Sequence, residues 1–328
     1  MIKIDENSIR KYFGIRLFFG SISWPVVFLI NLFFATNEKN LQIAVFLLFT
    51  LIVFVFFVSL IEWKVDRIFK DVESKLYEYI EKNTYLFLLF FVYVGFDYIF
   101  ANVSHNFYFS IILLNLIFII VIFILYFNPF LIFWIRKSKP LSDEKILSKA
   151  IEIGDRLGVK IEKLYVYDSD RMRVANAFQT GMKSYYIFVT SYLIKMLSYD
   201  EIIAVVAHEI IHADKKHVRN LSLLSISTTF VSMNLLVISI SNHSLIGIII
   251  SFALSFSVFF GLTPYIQRHF EREADIEGSR LTSPRDLSEA LRKLSRINLI
   301  PMSYSSLLNM NHPSFEERID YLSKLERK

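Results

Sequence analysis

Long apolar runs alternate with charged segments along most of this chain. Runs at about 15–36, 41–61, 84–101 and 108–135 each hold ~18–28 residues, enough for a helix to cross the ~30 Å hydrocarbon layer of a bilayer. Two more, at about 221–241 and 245–264, are joined by the tight Asn242-His243-Ser244 turn. Ser222, Ser225, Ser227, Thr228 and Thr229 in that pair favour helix–helix contact or a wet cavity over lipid. Between Pro140 and Tyr199 the pattern turns soluble. Apolar residues at helical spacing (Ile146, Leu147, Ala150, Ile151, Ile153) predict a helix over 142–157, and 160–167 and 184–190 read as short strands around a Gly181 turn. Ser198 and Glu201 form a capping box that opens a helix from Tyr199 to about Asn220. Further helices are expected at 266–281, 286–296 and 314–325.

The fold class that follows is mainly α: a polytopic α-helical membrane protein of about six spans with a soluble-facing domain containing a small β-sheet. Residues 1–140 would form a membrane domain of four spans. Residues 141–328 would form the soluble-facing part, interrupted by a membrane hairpin at about 221–264. The composition agrees, with 54% hydrophobic residues, 33 Phe and a mean hydropathy of +0.44, an apolar excess that a soluble domain does not need. Basic residues fall on alternate sides of the runs. Lys3, Arg10, Lys11 and Arg16 precede the first, Lys64, Arg67, Lys70, Lys75 and Lys82 follow the second, and Arg136, Lys137 and Lys139 follow the fourth; the opposite loops carry only Lys39. The positive-inside rule then puts both termini and the segment after Pro140 in the cytoplasm. The first run lacks a small-residue cleavage site and is expected to stay in the membrane. The net charge of +5 comes without a basic stripe bearing aromatics, so no nucleic-acid partner is expected. Asp97 reads as either an intramembrane functional acid or a snorkelling interfacial residue.

The chemistry is concentrated in His208-Glu209-Ile210-Ile211-His212. Histidines four apart share a helix face and can reach one zinc ion, with Glu209 beside them as general base. A catalytic zinc takes three protein ligands and keeps one position open. With no cysteine in the chain, the third must be another His or a carboxylate. The best candidate is Glu271 in Glu271-Arg272-Glu273-Ala274-Asp275. Helical spacing puts Glu271 and Asp275 on one face, so one can ligate while the other accepts a bond from a ligand imidazole. Glu273 points elsewhere on that helix. His217 fails the metzincin spacing, because Lys215 and Val218 stand where Gly and His are needed, and it is read as a surface residue. A His-x-x-x-His pair alone also serves structural sites, and carboxylates four apart are more often a solvated face.

Four separated blocks carry a family resemblance: Asn176-Ala177-Phe178 with Gly181 and Ile187–Thr190; Leu197-Ser198 and Asp200-Glu201 through to His212; Glu271 to Asp275; and His312-Pro313-Ser314 with Glu317-Arg318-Ile319. In order and spacing they resemble the membrane-integral gluzincin peptidases that include the HtpX heat-shock proteases and the zinc-type CAAX prenyl proteases. That resemblance covers about 142–325 and implies that 141–328 is a cytoplasm-facing, zincin-like metallopeptidase domain. It implies one zinc per chain on His208, His212 and Glu271, Glu209 as catalytic base and Asp275 as orienter of a ligand. It also implies that Asn176, Ala177 and Phe178, with the edge strand that follows, hold substrate backbone, and that His312 and Arg318 lie near the oxyanion or substrate. Two features depart from the family: Ile211 stands where it has Gly, expected to narrow access, and four spans precede the site.

The reading is a zinc endopeptidase at the cytoplasmic face of a prokaryotic plasma membrane. Its expected partners are the bilayer and a peptide or membrane-protein substrate, in proteolytic quality control. The alternatives are CAAX-type processing of prenylated peptides and a non-catalytic zinc-binding scaffold. A site-2-type intramembrane protease is disfavoured, since the motif helix carries Asp200, Glu201, Asp214, Lys215 and Lys216 and no later Asp-Gly follows.

Overall fold

The computed structural model describes residues 5–19, 40–83, 95, 98–99, 102–103, 105–126, 137–181, 184–304 and 312–327. Most of the expected spans 15–36 and 84–101, together with Asp97 and residues 127–135 of the fourth span, lie outside the described residues. Helices α1 (6–19), α2 (Asn40–Lys70), α3 (Leu76–Lys82) and α4 (Phe107–Tyr126) precede strand β1 (Lys139–Pro140). Then come α5 (Glu144–Leu157), β2 (Ile161–Tyr167), β3 (Ala177–Gly181), β4 (Tyr185–Thr190) and α6 (Ser191–Met196). The rest is helical: α7 (Tyr199–Asp214), α8 (His217–Ser241), α9 (Leu245–Ser257), a π-helical turn Val258–Leu262, α10 (Thr263–Leu281), α11 (Pro284–Asn298) and α12 (Phe315–Glu326). The fold is therefore mainly helical with one small sheet, as the hydrophobic pattern predicts.

Two compact units result. The first gathers Met1–Phe13, Tyr126–Leu223 and Leu262–Lys328; the second gathers Gly14–Leu125 and Leu224–Gly261. Among the described residues, His217–Ser241 and the continuous helical stretch Leu245–Leu281 are long and apolar enough to cross a bilayer. In the second unit Ile112 and Ile119 of α4, and Ile246, Ile249, Phe252 and Phe256 of α9, are exposed, an outward apolar surface that favours lipid over water. Several small polar residues of the hairpin face inward, among them Thr228, while Ser227 is exposed. Ser232, Ser239 and Ser251 are buried, and a Cβ on Gly247 would stand 2.1 Å from Ser239 Oγ, so α8 and α9 meet backbone to side chain.

The first unit is built on a sheet of order β1-β2-β4-β3, with β2 and β4 parallel and both outer pairs antiparallel. Leu164, Ile187 and Val189 from the sheet pack with Ile153 of α5, Leu193 of α6 and Val206 and Ile210 of α7 into one core. Helix α5 starts where Asp143 accepts from the backbone N–H groups of Lys145 and Ile146, and stops at Gly158, whose φ of +69° a glycine adopts without strain. Two strands were expected and four form. β1 is too short to show a period. β3, beginning at Ala177, is one edge of the sheet and two-residue β1 the other, while β4 lies inside.

The expected helix 199–220 also divides. α7 ends at Asp214, Lys216 takes a left-handed φ of +57°, and α8 starts afresh at His217. Ile211 does not narrow access: it is fully buried and is not among the residues that line the cleft described below.

Candidate metal centre

Helix α7 is fixed at its start by a reciprocal cap, Ser198 Oγ accepting from Glu201 N–H and Glu201 accepting from Ser198 N–H, while Lys293 of α11 donates to Glu201 at 2.7 Å. Its body is buried on most sides, which leaves no freedom in where His208 and His212 point. Helix α10 lies across it. On α10, Glu271, Asp275 and Gly278 share one buried face at i, i+4 and i+7. Gly278 is what allows the approach: a Cβ there would lie 3.0 Å from both Cα and N of His208 and 3.3 Å from the carbonyl carbon of Ala207. All three are backbone atoms and cannot rotate aside. Gly278→Ala is therefore expected to destabilise the fold by about 1–3 kcal/mol and to weaken metal binding. A chelator-competition titration reads the second effect, and wild-type affinity would remove Gly278 from this account.

The three donors converge. His208 Nε2 lies 3.1 Å from His212 Nε2, His212 Nε2 lies 3.4 Å from Glu271 Oε1, and His208 Nε2 lies 3.7 Å from Glu271 Oε2. A tetrahedral zinc with ligands at ~2.0–2.1 Å has ligand–ligand edges of about 3.3–3.4 Å. The two imidazole nitrogens and the two Glu271 oxygens thus converge at separations near those edges, and among the described residues the trio is the group of this kind that could hold a metal ion. Two imidazole nitrogens at 3.1 Å, facing a carboxylate, are also the donor set zinc prefers.

Behind the trio, Asp275 is wholly buried. Its Oδ1 stands 2.9 Å from His208 Nδ1, close but off the line of a good hydrogen bond. Arg318 of α12 holds Asp275 in a fork, with Nε to Oδ2 at 2.7 Å and Nη2 to Oδ1 at 2.6 Å, and Tyr321 donates its hydroxyl to Oδ2. Arg318 Nη1 also lies 3.5 Å from Glu271 Oε2, and His312 Nδ1 lies 3.3 Å from the same oxygen. Burial alone would raise both acids. The Arg318 charge and His208 instead bring Asp275 to about 2, and bonds from His212 and His312 with the Arg318 charge hold Glu271 well below the ordinary carboxylate range. Glu209 differs: burial lifts it above the ordinary glutamate value despite the pull of His208 and His212. A carboxylate so placed is a better proton acceptor than a solvated one.

His208 and Glu271 of the trio line a cleft of about 230 Å³, together with Glu209, Asn176, Ala177, His312 and Arg318. Leu287, Leu291, Leu294, Ile300 and Phe315 supply its apolar wall. Phe178 is not part of that lining; it stacks on Phe188 within the sheet, with ring centroids 5.2 Å apart. The β3 edge is held open toward the cleft. Asn176 C=O accepts from the Thr190 backbone N–H and Asn176 N–H donates to Thr190 Oγ1, so by the alternation of an antiparallel ladder Ala177 turns its own groups outward. Asn298 of α11 clamps the strand's approach, its side-chain amide bonding both N–H and C=O of Ala175.

One sequence reading needs correction. His217 is not at the surface: it is 2% exposed, because the break at Lys215 and Lys216 turns the chain back and sets His217 Nδ1 2.9 Å from His212 Nδ1. On an unbroken helix, five positions on, it would point away. Glu273 does point away from the donor trio, as expected, and what it reaches is His217 Nε2 at 3.1 Å. Gly278, Tyr321 and Asn298 were missed. Only Gly278 left a signal, seven residues after Glu271 on the same face.

A helix bearing His-Glu-x-x-His, answered by a glutamate on a crossing helix and bordered by an edge strand, defines a metallopeptidase centre of the gluzincin kind. The chain belongs to peptidase family M48, whose model matches residues 140–326. It is similar to CAAX prenyl protease 1 of Saccharomyces cerevisiae, 30% identical over 236 residues that make up 58% of this chain and 51% of that protein. A protease HtpX homologue of Janthinobacterium is 27% identical over 211 residues, 55% of this chain and 71% of that one. The chain thus spans about half the length of the CAAX prenyl proteases it matches. Its fold matches the crystal structure of S. mikatae Ste24p with a TM-score of 0.66 at 22% identity, over 98% of this chain and 90% of that one.

Proposed function

We propose that this chain is a membrane-embedded zinc endopeptidase, with zinc held by His208, His212 and Glu271. The observation that carries the reading is the set of donor separations, 3.1, 3.4 and 3.7 Å, around one zinc-sized point beside Glu209. Zinc there supplies a Lewis acid that acidifies water and polarises a peptide carbonyl. Glu209 takes the proton from the attacking water and delivers it to the leaving amine. Asp275, gripped by Arg318 and Tyr321, keeps the His208 ring in orientation. Arg318 is thereby a positioning residue, while half-exposed His312 is the group free to meet the substrate oxyanion.

Substrate backbone would add to the β3 edge along Asn176, Ala177 and Phe178, in the manner of a further strand. Ala177→Pro removes one outward N–H from that edge and should raise KM about tenfold with little change in kcat, in keeping with one net hydrogen bond of ~1–1.5 kcal/mol. An equal fall in kcat would mean that the strand shapes the chemistry rather than the docking.

The second compact unit would be the lipid-embedded part, with the domain at 141–328 carrying the site and its hairpin. Both termini and the site would face the cytoplasm of a prokaryotic cell, as the loop charges indicate. Relatives named protease HtpX support quality control of membrane proteins as the task. Processing of prenylated C-terminal peptides is the second reading, favoured by the relative named CAAX prenyl protease 1 and by the apolar cleft wall. The deciding experiment is digestion of an unfolded membrane protein by detergent-purified protein. Cleavage should vanish with chelator and return with zinc; cleavage indifferent to chelator would sink the proposal.

A further inference from the structure

His212 turns Nε2 toward His208 and Glu271, and its other nitrogen faces the opposite way. There, His217 Nδ1 waits at 2.9 Å, and His217 Nε2 continues to Glu273 Oε2 at 3.1 Å. The His217 ring lies flat on Phe270, with centroids 3.9 Å apart and planes within 9°. We propose that His217 and Glu273 are positioning residues for the metal ligand His212, forming an imidazole–imidazole–carboxylate chain that fixes its tautomer and ring angle. The inference rests on the metal-site reading above and extends it to the ligand that Asp275 does not serve.

Proton accounting allows one arrangement. A histidine that ligates through Nε2 must carry its proton on Nδ1. His212 Nδ1–H then donates to His217 Nδ1, which must be the bare nitrogen. The His217 proton therefore sits on Nε2 and donates to Glu273. Every nitrogen and its partner oxygen is used once. Without the chain, His212 could hold its proton on either nitrogen, and the Nε2–H form cannot bind a metal. A buried histidine filling space beside Phe270 would be the bland account. It explains the stack but neither of the two nitrogen contacts, and it gives no reason for the left-handed Lys216 that delivers His217 to this spot. Each ligand imidazole thus has a carboxylate behind it: His208 faces Asp275 directly at 2.9 Å, and His212 reaches Glu273 through a second ring.

The test is metal binding by metal-free, detergent-purified full chain. Zinc affinity is measured against a chelator, and the visible spectrum of the cobalt-loaded form reports ligand geometry. His217→Phe keeps the aromatic stack and removes both nitrogens. It should bind zinc 10–100-fold more weakly, as loss of such outer partners typically does, with a shifted cobalt spectrum. His217→Asn restores an acceptor near the Nδ1 position and should recover most of the loss. Glu273→Ala should lose affinity in the same direction but by less. Circular dichroism and the thermal midpoint of the metal-free forms check folding, and if His217→Phe fails to fold, Glu273→Ala decides. Wild-type affinity and spectrum in a folded His217→Phe or in Glu273→Ala overturn the chain, as does His217→Asn binding no better than His217→Phe. Wild-type protein that takes up no zinc would overturn the metal site itself and the chain with it, a result distinct from the others.

Discussion

Glu209→Gln protein should bind one zinc per chain as the wild type does and cleave peptide ~10²–10⁴-fold more slowly. The two effects separate because Glu209 belongs to the cleft but not to the trio of converging donors. It follows His208 directly on α7, so its side chain leaves the helix about 100° further round, toward the space where Ala177 and His312 also face. Gln keeps the shape and the capacity to accept a hydrogen bond, yet cannot take up a proton. Burial has raised Glu209 above the ordinary glutamate value, which strengthens it as a base. His208→Ala is the contrasting variant and should lose zinc and cleavage together. The measurements are bound zinc per chain and kcat/KM on one unfolded substrate. Cleavage by Glu209→Gln at near the wild-type rate would transfer the base to another group, and His312 is the titratable residue next in line.

The candidate ligands were legible because a four-residue helical period survives any tertiary context. His208 with His212, and Glu271 with Asp275, each state their own face. Which of the two carboxylates ligates was not contained in the spacing. It depends on where α10 crosses α7, and that is set by Gly278 lying against the His208 backbone. His217 was misread for a related reason. Sequence periodicity assumes that a helix continues, and nothing in Asp214-Lys215-Lys216 announces a stop: there is no glycine or proline, only Lys216 at a φ of +57°. Once the chain turns there, the residue expected to point outward becomes one of the most buried histidines in the site. The sheet shows the same limit from another side. β2 and β4 carry alternating or continuous apolar residues, whereas β3, Ala-Phe-Gln-Thr-Gly, has no period strong enough to mark it. Its role depends on pairing with β4 and on the Asn298 clamp 123 residues away from Ala175.

Arg318→Met should cost the metal-free protein about 3–5 kcal/mol, a fall in thermal midpoint on the order of 10 °C. The guanidinium lies buried between two acids, bonding Asp275 twice at 2.7 and 2.6 Å and approaching Glu271 at 3.5 Å. Methionine fills much of the same volume but leaves Asp275, with no exposed surface, as a charge without its cation. The penalty therefore belongs to the stranded carboxylate, not to the missing bond. Adding Asp275→Asn to Arg318→Met removes that charge and leaves Tyr321 an oxygen to bond, so the double variant should be more stable than the single one. Zinc gives a second discriminator. A dication at Glu271 supplies positive charge near the same carboxylates, so saturating metal should narrow the gap between Arg318→Met and wild type. Thermal melts of the three proteins, each with and without zinc, contain both comparisons. A double variant no more stable than Arg318→Met would show that Arg318 acts by packing α12 rather than by neutralising Asp275. A gap that zinc leaves unchanged would separate the Asp275–Arg318 pair electrostatically from the metal centre.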